Sequence, residues 1–107
     1  MVKISVMYPN RPGAWFDFNY FTTHRLPKNV ALLAEHASFR GAAVEQGLHG
    51  RRKGEPAAYT AVCHYLFETE EDILSAYAPH AEAMEADRAN YTDIEPMVQI
   101  SAIVIAD

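Results

Sequence analysis

The stretch Ala57-Ala58-Tyr59-Thr60-Ala61-Val62-Cys63-His64-Tyr65-Leu66-Phe67 decides the fold. Read with a period of two, Tyr59, Ala61, Cys63, Tyr65 and Phe67 share one face of a strand. Thr60, Val62, His64 and Leu66 share the other. Both faces are largely apolar, so this strand belongs in a sheet that is covered on both sides. A loop with Gly50, Gly54 and Pro56 leads into it over His49 to Pro56. Before that loop, Phe39 to Leu48 reads as a weaker strand, and its Gly41 or Gly47 marks a bulge or a close backbone approach. At the start of the chain, Val2, Ile4, Val6 and Tyr8 alternate with Lys3, Ser5 and Met7. The turn residues Pro9-Asn10-Arg11-Pro12-Gly13 end that strand. Met97 to Ala106 is the fourth and most apolar strand, with Val98, Ile100 and Val104 opposite Ile103 and Ile105.

Two helices fill the gaps. Asp17 is the N-cap of the first, where its carboxylate can accept free amides of the first turn. Phe16 before the cap and Phe21 after it have the spacing of a hydrophobic staple. Helical character continues to about Ala37, interrupted at Pro27, which deletes an amide donor and crowds the carbonyl four residues back. Beyond the bend, Val30, Leu33 and Ala34 continue the apolar stripe. Thr69 caps the second helix, with Asp72 completing a capping-box-like signature. Ile73, Tyr77 and Met84 mark its inner side, Pro79 interrupts it, and Asn90 to Pro96 is a loop.

The order strand, helix, strand, strand, helix, strand predicts one α+β domain over 1–107, a ferredoxin-like βαββαβ sandwich. Two helices cover one face of a four-stranded sheet. The first, third and fourth strands are apolar on both faces, so the other face needs a cover too. A second copy packed sheet to sheet about a two-fold axis supplies it. Fully burying one Leu- or Phe-sized side chain is worth roughly 1.5–3 kcal/mol, so a few such residues favour a homodimer strongly.

Composition narrows the partners. Of 107 residues, half are apolar and 21% are charged, as in a soluble globular chain. The net charge of −5 gives nucleic acid no basic face to bind. The one basic cluster, Arg51-Arg52-Lys53, sits in a glycine-rich loop, where a solvated tip is the plainer reading than an anion site. No run approaches 18 apolar residues and no basic-then-apolar leader opens the chain, so neither membrane insertion nor secretion is expected. Cys63 is the single cysteine, in keeping with a reducing, cytoplasmic location.

Several residues, in order, resemble the EthD family, named for a protein of bacterial ethyl tert-butyl ether degradation. Tyr8-Pro9-Asn10 closes the first strand. Phe16-Asp17 is followed by Tyr20, His24 and Pro27. Val44-Glu45-Gln46-Gly47 ends the second strand; Pro56, Tyr59, Ala61 and His64 mark the third. Pro79-His80-Ala81-Glu82 lies in the second helix. Asn90-Tyr91-Thr92 leads to Pro96 and Gln99-Ile100-Ser101. No single piece is specific, but together they run nearly end to end. One departure stands out: Arg88-Ala89 occupies the place where the family pattern has Ile-Pro. The resemblance implies a dimeric α/β barrel, a fold shared by cofactor-free monooxygenases, lactone isomerases and fungal polyketide dehydratases.

Among residues able to carry chemistry, His24 leads, because an imidazole titrates near neutral pH. Tyr20, one turn earlier on the same helix face, could hydrogen-bond a ligand carbonyl or phenol. Together they are the catalytic candidates; the plainer alternatives are a ring capping a backbone group near the Pro27 bend and a phenol in the pocket wall. His64, in an apolar strand, needs partners for its ring nitrogens. It either meets His24 across a helix–sheet cavity and binds substrate or is a structural or interface histidine. His80, after Pro79, is the other substrate-binding candidate, although Glu82 and Glu85 suggest an exposed face. His36 and His49 read as a helix end and a loop residue.

Metal is not expected, because no two histidines lie a turn apart. Neither haem nor another cofactor is expected. Cys63 is a poor nucleophile where burial raises its pKa. No phosphate loop links a strand to a helix. Six Tyr, five Phe and Trp15 suit a pocket for a hydrophobic or aromatic small molecule. The functional expectation is a cofactor-free oxygenase, dehydratase or isomerase in degradative or secondary metabolism. The alternative is a non-catalytic ligand-binding accessory to an oxygenase pathway such as ether degradation.

Overall fold

A computed structural model describes residues 1–105. The strands are β1 (Val2–Pro9), β2 (Phe39–Gln46), β3 (Tyr59–Phe67) and β4 (Met97–Ala102). The first helical hairpin arm comprises α1 (Phe18–Tyr20), a π-helical segment (Phe21–Arg25) and α2 (Leu26–Leu33). The second comprises α3 (Glu70–Tyr77), a 3-10 turn (Ala78–His80), α4 (Ala81–Ala86) and a further 3-10 turn (Arg88–Asn90). The sheet order is β2-β3-β1-β4 with every pair antiparallel, the ferredoxin-like arrangement.

Local signals place the helices. The Asp17 side chain accepts the Tyr20 amide at 3.0 Å, and the rings of Phe16 and Phe21 meet at 5.5 Å as a staple. Thr69 accepts the Asp72 amide at 3.2 Å. The glycines of β2 do different work. Gly41 lies at φ +132° beside the register shift between Phe39 and Gly41, which is the bulge. A Cβ on Gly47 would run into the Tyr59 carbonyl oxygen, so Gly47 is the close approach. β2 accordingly stops at Gln46, two residues earlier than its sequence suggests. β4 is also shorter than expected. Its last rung is the Ile103 amide on the Met1 carbonyl, at 2.9 Å; Val104 and Ile105 project exposed, and Ala106 lies outside the described residues.

The two sheet faces differ. Ile4, Val6 and Tyr8 of β1 and Ala61, Cys63, Tyr65 and Phe67 of β3 are buried under the helices with Phe21, Leu33, Ile73 and Met84. Met7, Val62, His64 and Leu66 face the other way and stay half-buried. Pairing of Ile4 with Ile100 and Val6 with Val98 puts both β4 side chains on the helix-side face, yet they remain 39% and 57% exposed. The helices therefore stop short of β4.

Candidate functional site

Where the helices leave the sheet toward β4, a cavity opens. Val6, Tyr8, Cys63 and Tyr65 form its floor, and Phe21 and Asn29 one wall. Tyr77, Ala81, Met84, Glu85 and Arg88 form the other wall, with Tyr91, Pro96 and Val98 at the mouth. It encloses about 60 Å³, room for a few waters at about 15 Å³ each. A wider depression of about 380 Å³ lies among Asn10, Pro12, Pro56, Ala57 and Ala58. It holds no titratable side chain, so the chemistry belongs to the smaller cavity.

Four tyrosines dominate that cavity. The Tyr8 and Tyr91 hydroxyls lie 3.2 Å apart, and Tyr65 accepts from the Asn29 Nδ2 at 2.8 Å. Tyr65 and Tyr77 pack at 6.1 Å between ring centres. Burial pushes the Tyr8 and Tyr65 phenols far above their ordinary range, Tyr77 up to about 12, and Tyr91 upward too. Burial likewise pushes the Cys63 thiol up to about 11, so it is a thiol and not a thiolate at neutral pH. The sheet side of the cavity is a neutral, aromatic environment.

Its position depends on one polar knot. Tyr91 is fixed because its carbonyl accepts the Asp17 amide at 2.7 Å, and Thr92 Oγ1 donates to the Trp15 carbonyl at 2.6 Å. Behind it, Asp87 gathers three donors: Arg25 Nη1 at 3.3 Å, the Tyr20 hydroxyl at 2.9 Å and Asn90 Nδ2 at 2.7 Å. Desolvation pushes the Asp87 carboxyl up, but the hydrogen bonds from Asn90 and Tyr20 and the charge of Arg25 outweigh it, leaving it below the usual carboxylate range. The hydrogen bond to Asp87 raises the Tyr20 phenol.

The sequence-derived candidates fall around this cavity, not in its lining. His24 is exposed; its Nδ1 lies 2.8 Å from Thr23 Oγ1 and its ring stacks on Tyr20 at 5.0 Å and 11°. Tyr20 in turn stacks on Tyr91 at 6.3 Å, so the pair stands at the outer end of an aromatic column that reaches the cavity. The expected meeting of His24 and His64 does not occur. Strand alternation turns His64 to the opposite sheet face, where Ser5 Oγ is 3.4 Å from its Nδ1 and Glu45 Oε2 is 3.3 Å from its Nε2. His80 is half-buried on the 3-10 turn, next to cavity-lining Ala81. The residues that do line the cavity carried only periodicity as a signal in the sequence: Val6 with Tyr8 and Cys63 with Tyr65 share strand faces, and Tyr77 with Met84 marks the inner side of the second helix. Asn29 carried none, and Arg88 stands where the chain leaves the family pattern. Among the described residues no cluster of three or more His, Cys, Asp or Glu side chains could hold a metal ion, and no helix is long and apolar enough to cross a membrane.

Solved structures share this architecture. An EthD-like protein from Ralstonia eutropha JMP134 is 36% identical, with a TM-score of 0.89 over 99% of this chain and 94% of its own. An ethyl tert-butyl ether degradation (EthD) family protein from Bacillus halodurans C-125 is 15% identical, with a TM-score of 0.62 over 97% and 99% of the two chains. A cofactor-independent oxygenase from Streptomyces nogalater is 13% identical, with a TM-score of 0.52 over 98% and 92%. These last two share the fold alone. No family model matches the chain, and no curated protein matches it.

Proposed function

Since this chain belongs to the EthD-like family, we propose that it binds a small hydrophobic or aromatic molecule in the tyrosine-lined cavity and works as a homodimer. The cavity carries the reading: four phenols, an amide and a thiol, all neutral near pH 7, with one Glu85–Arg88 ion pair on a wall, surround a space between helices and sheet. Its volume is below the roughly 300 Å³ of a drug-sized site. The ligand is therefore compact, or it enters by displacing the Pro96–Val98 side of the mouth. Met97, exposed beside Met7 on the sheet face opposite the helices, supports a second copy as the cover of that face.

The candidate reactions are cofactor-free oxygenation, dehydration and isomerisation. The fold shared with a cofactor-independent oxygenase supports the first as chemistry this scaffold can house. In this reading His24 and Tyr20 serve at the rim, where the stack on Tyr91 connects them to the bound molecule. Neither His64, on the opposite sheet face, nor His80, beside Ala81, is in the lining.

One observation favours a second reading. No histidine, the commonest general acid or base, lines the cavity. A non-catalytic carrier that delivers its ligand to an oxygenase, as in ether degradation, needs the cavity and no acid or base. Native mass spectrometry of the protein from its own host tests the shared premise: a dimer with a bound small molecule is expected, and a monomer without one would overturn it. His24→Gln then separates the readings. Activity lost with ligand binding intact supports the enzyme, and unchanged pathway flux supports the carrier.

A further inference from the structure

Asn29 sits on α2 one turn beyond Arg25, is only 4% exposed and lines the cavity. A carboxamide offers two donors and two acceptor lone pairs. Here Nδ2 is engaged by the Tyr65 hydroxyl at 2.8 Å, whereas Oδ1 is fully buried with no partner among the described residues. A buried carbonyl left in that state costs stability unless water or a ligand meets it. Of the cavity's acceptors, Oδ1 is the one that is fully buried without a partner among the described residues. The Tyr8 and Tyr91 hydroxyls are already turned to each other, and Glu85, the one carboxylate in the lining, is paired with Arg88 on the outer wall.

From this we infer that Asn29 is a specificity-determining residue and that the ligand class is a neutral hydroxy-aromatic, a phenol or enol whose O–H donates to Asn29 Oδ1. The inference rests on the cavity reading given above and adds to it the polarity of the contact. An ether or a fully alkylated ring of the same size would fill the space and leave Oδ1 bare. An ionised phenolate would bring a lone pair to a lone pair. Arg88, the one cation in the lining, is already paired with Glu85, and the tyrosine phenols are held neutral by burial, so such an anion meets no free cation there.

Phenol and its methyl ether, anisole, make the test, each titrated into the full-length protein and followed by NMR of the cavity residues. Apolar burial alone favours anisole, which carries an extra methyl group. The inference expects the reverse, with phenol about tenfold tighter. Asn29→Leu should then restore the order set by burial. Because that variant leaves the Tyr65 hydroxyl alone, the double variant Asn29→Leu with Tyr65→Phe removes both partners and protects the fold. Anisole binding as tightly as phenol to the unmodified protein would overturn the inference and leave the cavity reading standing. A phenol preference that survives in the double variant would overturn it as well, since the donor would then meet another group. If neither compound perturbs the cavity, the cavity reading itself falls.

Discussion

The two helical arms are both interrupted by a proline, and they answer it in opposite ways. Before Pro27 the first arm widens: Phe21–Arg25 is π-helical, and the Leu26 amide reaches five residues back to the Phe21 carbonyl. At Pro79 the second arm narrows: Ala78–His80 is a 3-10 turn, and the Ala81 amide reaches only three residues back, to Ala78. The wide turn inserts a residue, so everything after it is rotated relative to a regular helix by about 100°. That rotation is compatible with burying Arg25 and Asn29, polar residues that a regular surface helix would hold in water. The narrow turn sets small and apolar residues, Ala81 and Met84, against the same cavity. The first arm supplies the cavity's carboxamide, and the second supplies the opposite wall, with the Tyr77 phenol and the Glu85–Arg88 pair beside Ala81 and Met84.

Asp87, at the end of the second arm, joins the two, and removing it should have the largest effect. Asp87→Ala leaves the Arg25 guanidinium buried without its counter-charge and strips the acceptor from Tyr20 and Asn90. Losing one member of a fully buried pair costs about 3–5 kcal/mol. Asp87 keeps 19% of its side-chain surface exposed, so roughly 2–3 kcal/mol is expected, read from urea unfolding. The pH dependence has a definite sign. The folded pKa of Asp87 is depressed, so its contribution is complete above the unfolded value of about 3.9 and is lost as pH falls through the folded one. The variant should be flatter than the parent between about pH 5 and pH 2. An unchanged acid limb would mean that the knot does not hold the arms.

Tyr65→Phe comes next. It removes the hydroxyl that engages the Asn29 Nδ2 and leaves a second unpaired atom in a side chain whose Oδ1 is already alone. A loss of about 1–2 kcal/mol is expected. Stability equal to the parent would show that the amide finds another partner, and the polarity assigned to the cavity would need revision.

These effects belong to residues that the sequence did not single out. The element order, both N-caps, the staple and the two special glycines were legible because each rests on a few neighbouring residues. Asp17 needs only the amides of its own first turn, and β3 announces itself by alternation alone. Arg25 and Asn29 were not legible, because a helical period assumes an unbroken helix and the π segment changes the phase between them and Asp17. His64 illustrates a different failure. Alternation places it opposite Cys63 and Tyr65 from the start, but with both faces of β3 apolar nothing local says which face the helices take. Choosing histidines for their ordinary pKa also favoured residue type over enclosure. The enclosed groups are tyrosines drawn from β1, β3, the second arm and the loop before β4, and only the folded sheet order brings them together.

Cys63 tests the same enclosure from the floor of the cavity. Its thiol, pushed up to about 11 by burial, should react with a disulfide reagent at pH 7.5 far more slowly in the folded protein than in urea. A rate matching the unfolded chain would mean that the arms open readily and that the cavity is not a closed neutral space. Retardation that is relieved in Asp87→Ala would tie the closure to the knot.

The smallest effects should come from the prolines themselves, and they decide what causes the wide turn. Pro27 and Pro79 both lie at the start of the helical segment that follows, where a missing amide is cheaply tolerated. Pro27→Ala and Pro79→Ala should each change stability by less than about 1 kcal/mol. Pro27→Ala is the sharper of the two. It returns an amide that can bond to the Thr23 carbonyl, so a regular helix becomes available through Phe21–Arg25. If the proline alone imposes the π turn, the helix regularises, Arg25 rotates away from Asp87, and the variant falls toward the stability of Asp87→Ala. If the Arg25–Asp87 contact holds the turn open, the fall stays under about 1 kcal/mol and the depressed Asp87 pKa persists. We expect the second outcome. The Thr22 and Thr23 hydroxyls already bond to the Phe18 and Asn19 carbonyls, at 2.8 and 2.6 Å, just where the backbone ladder loosens. A turn supported on both its polar sides does not need the proline to keep it.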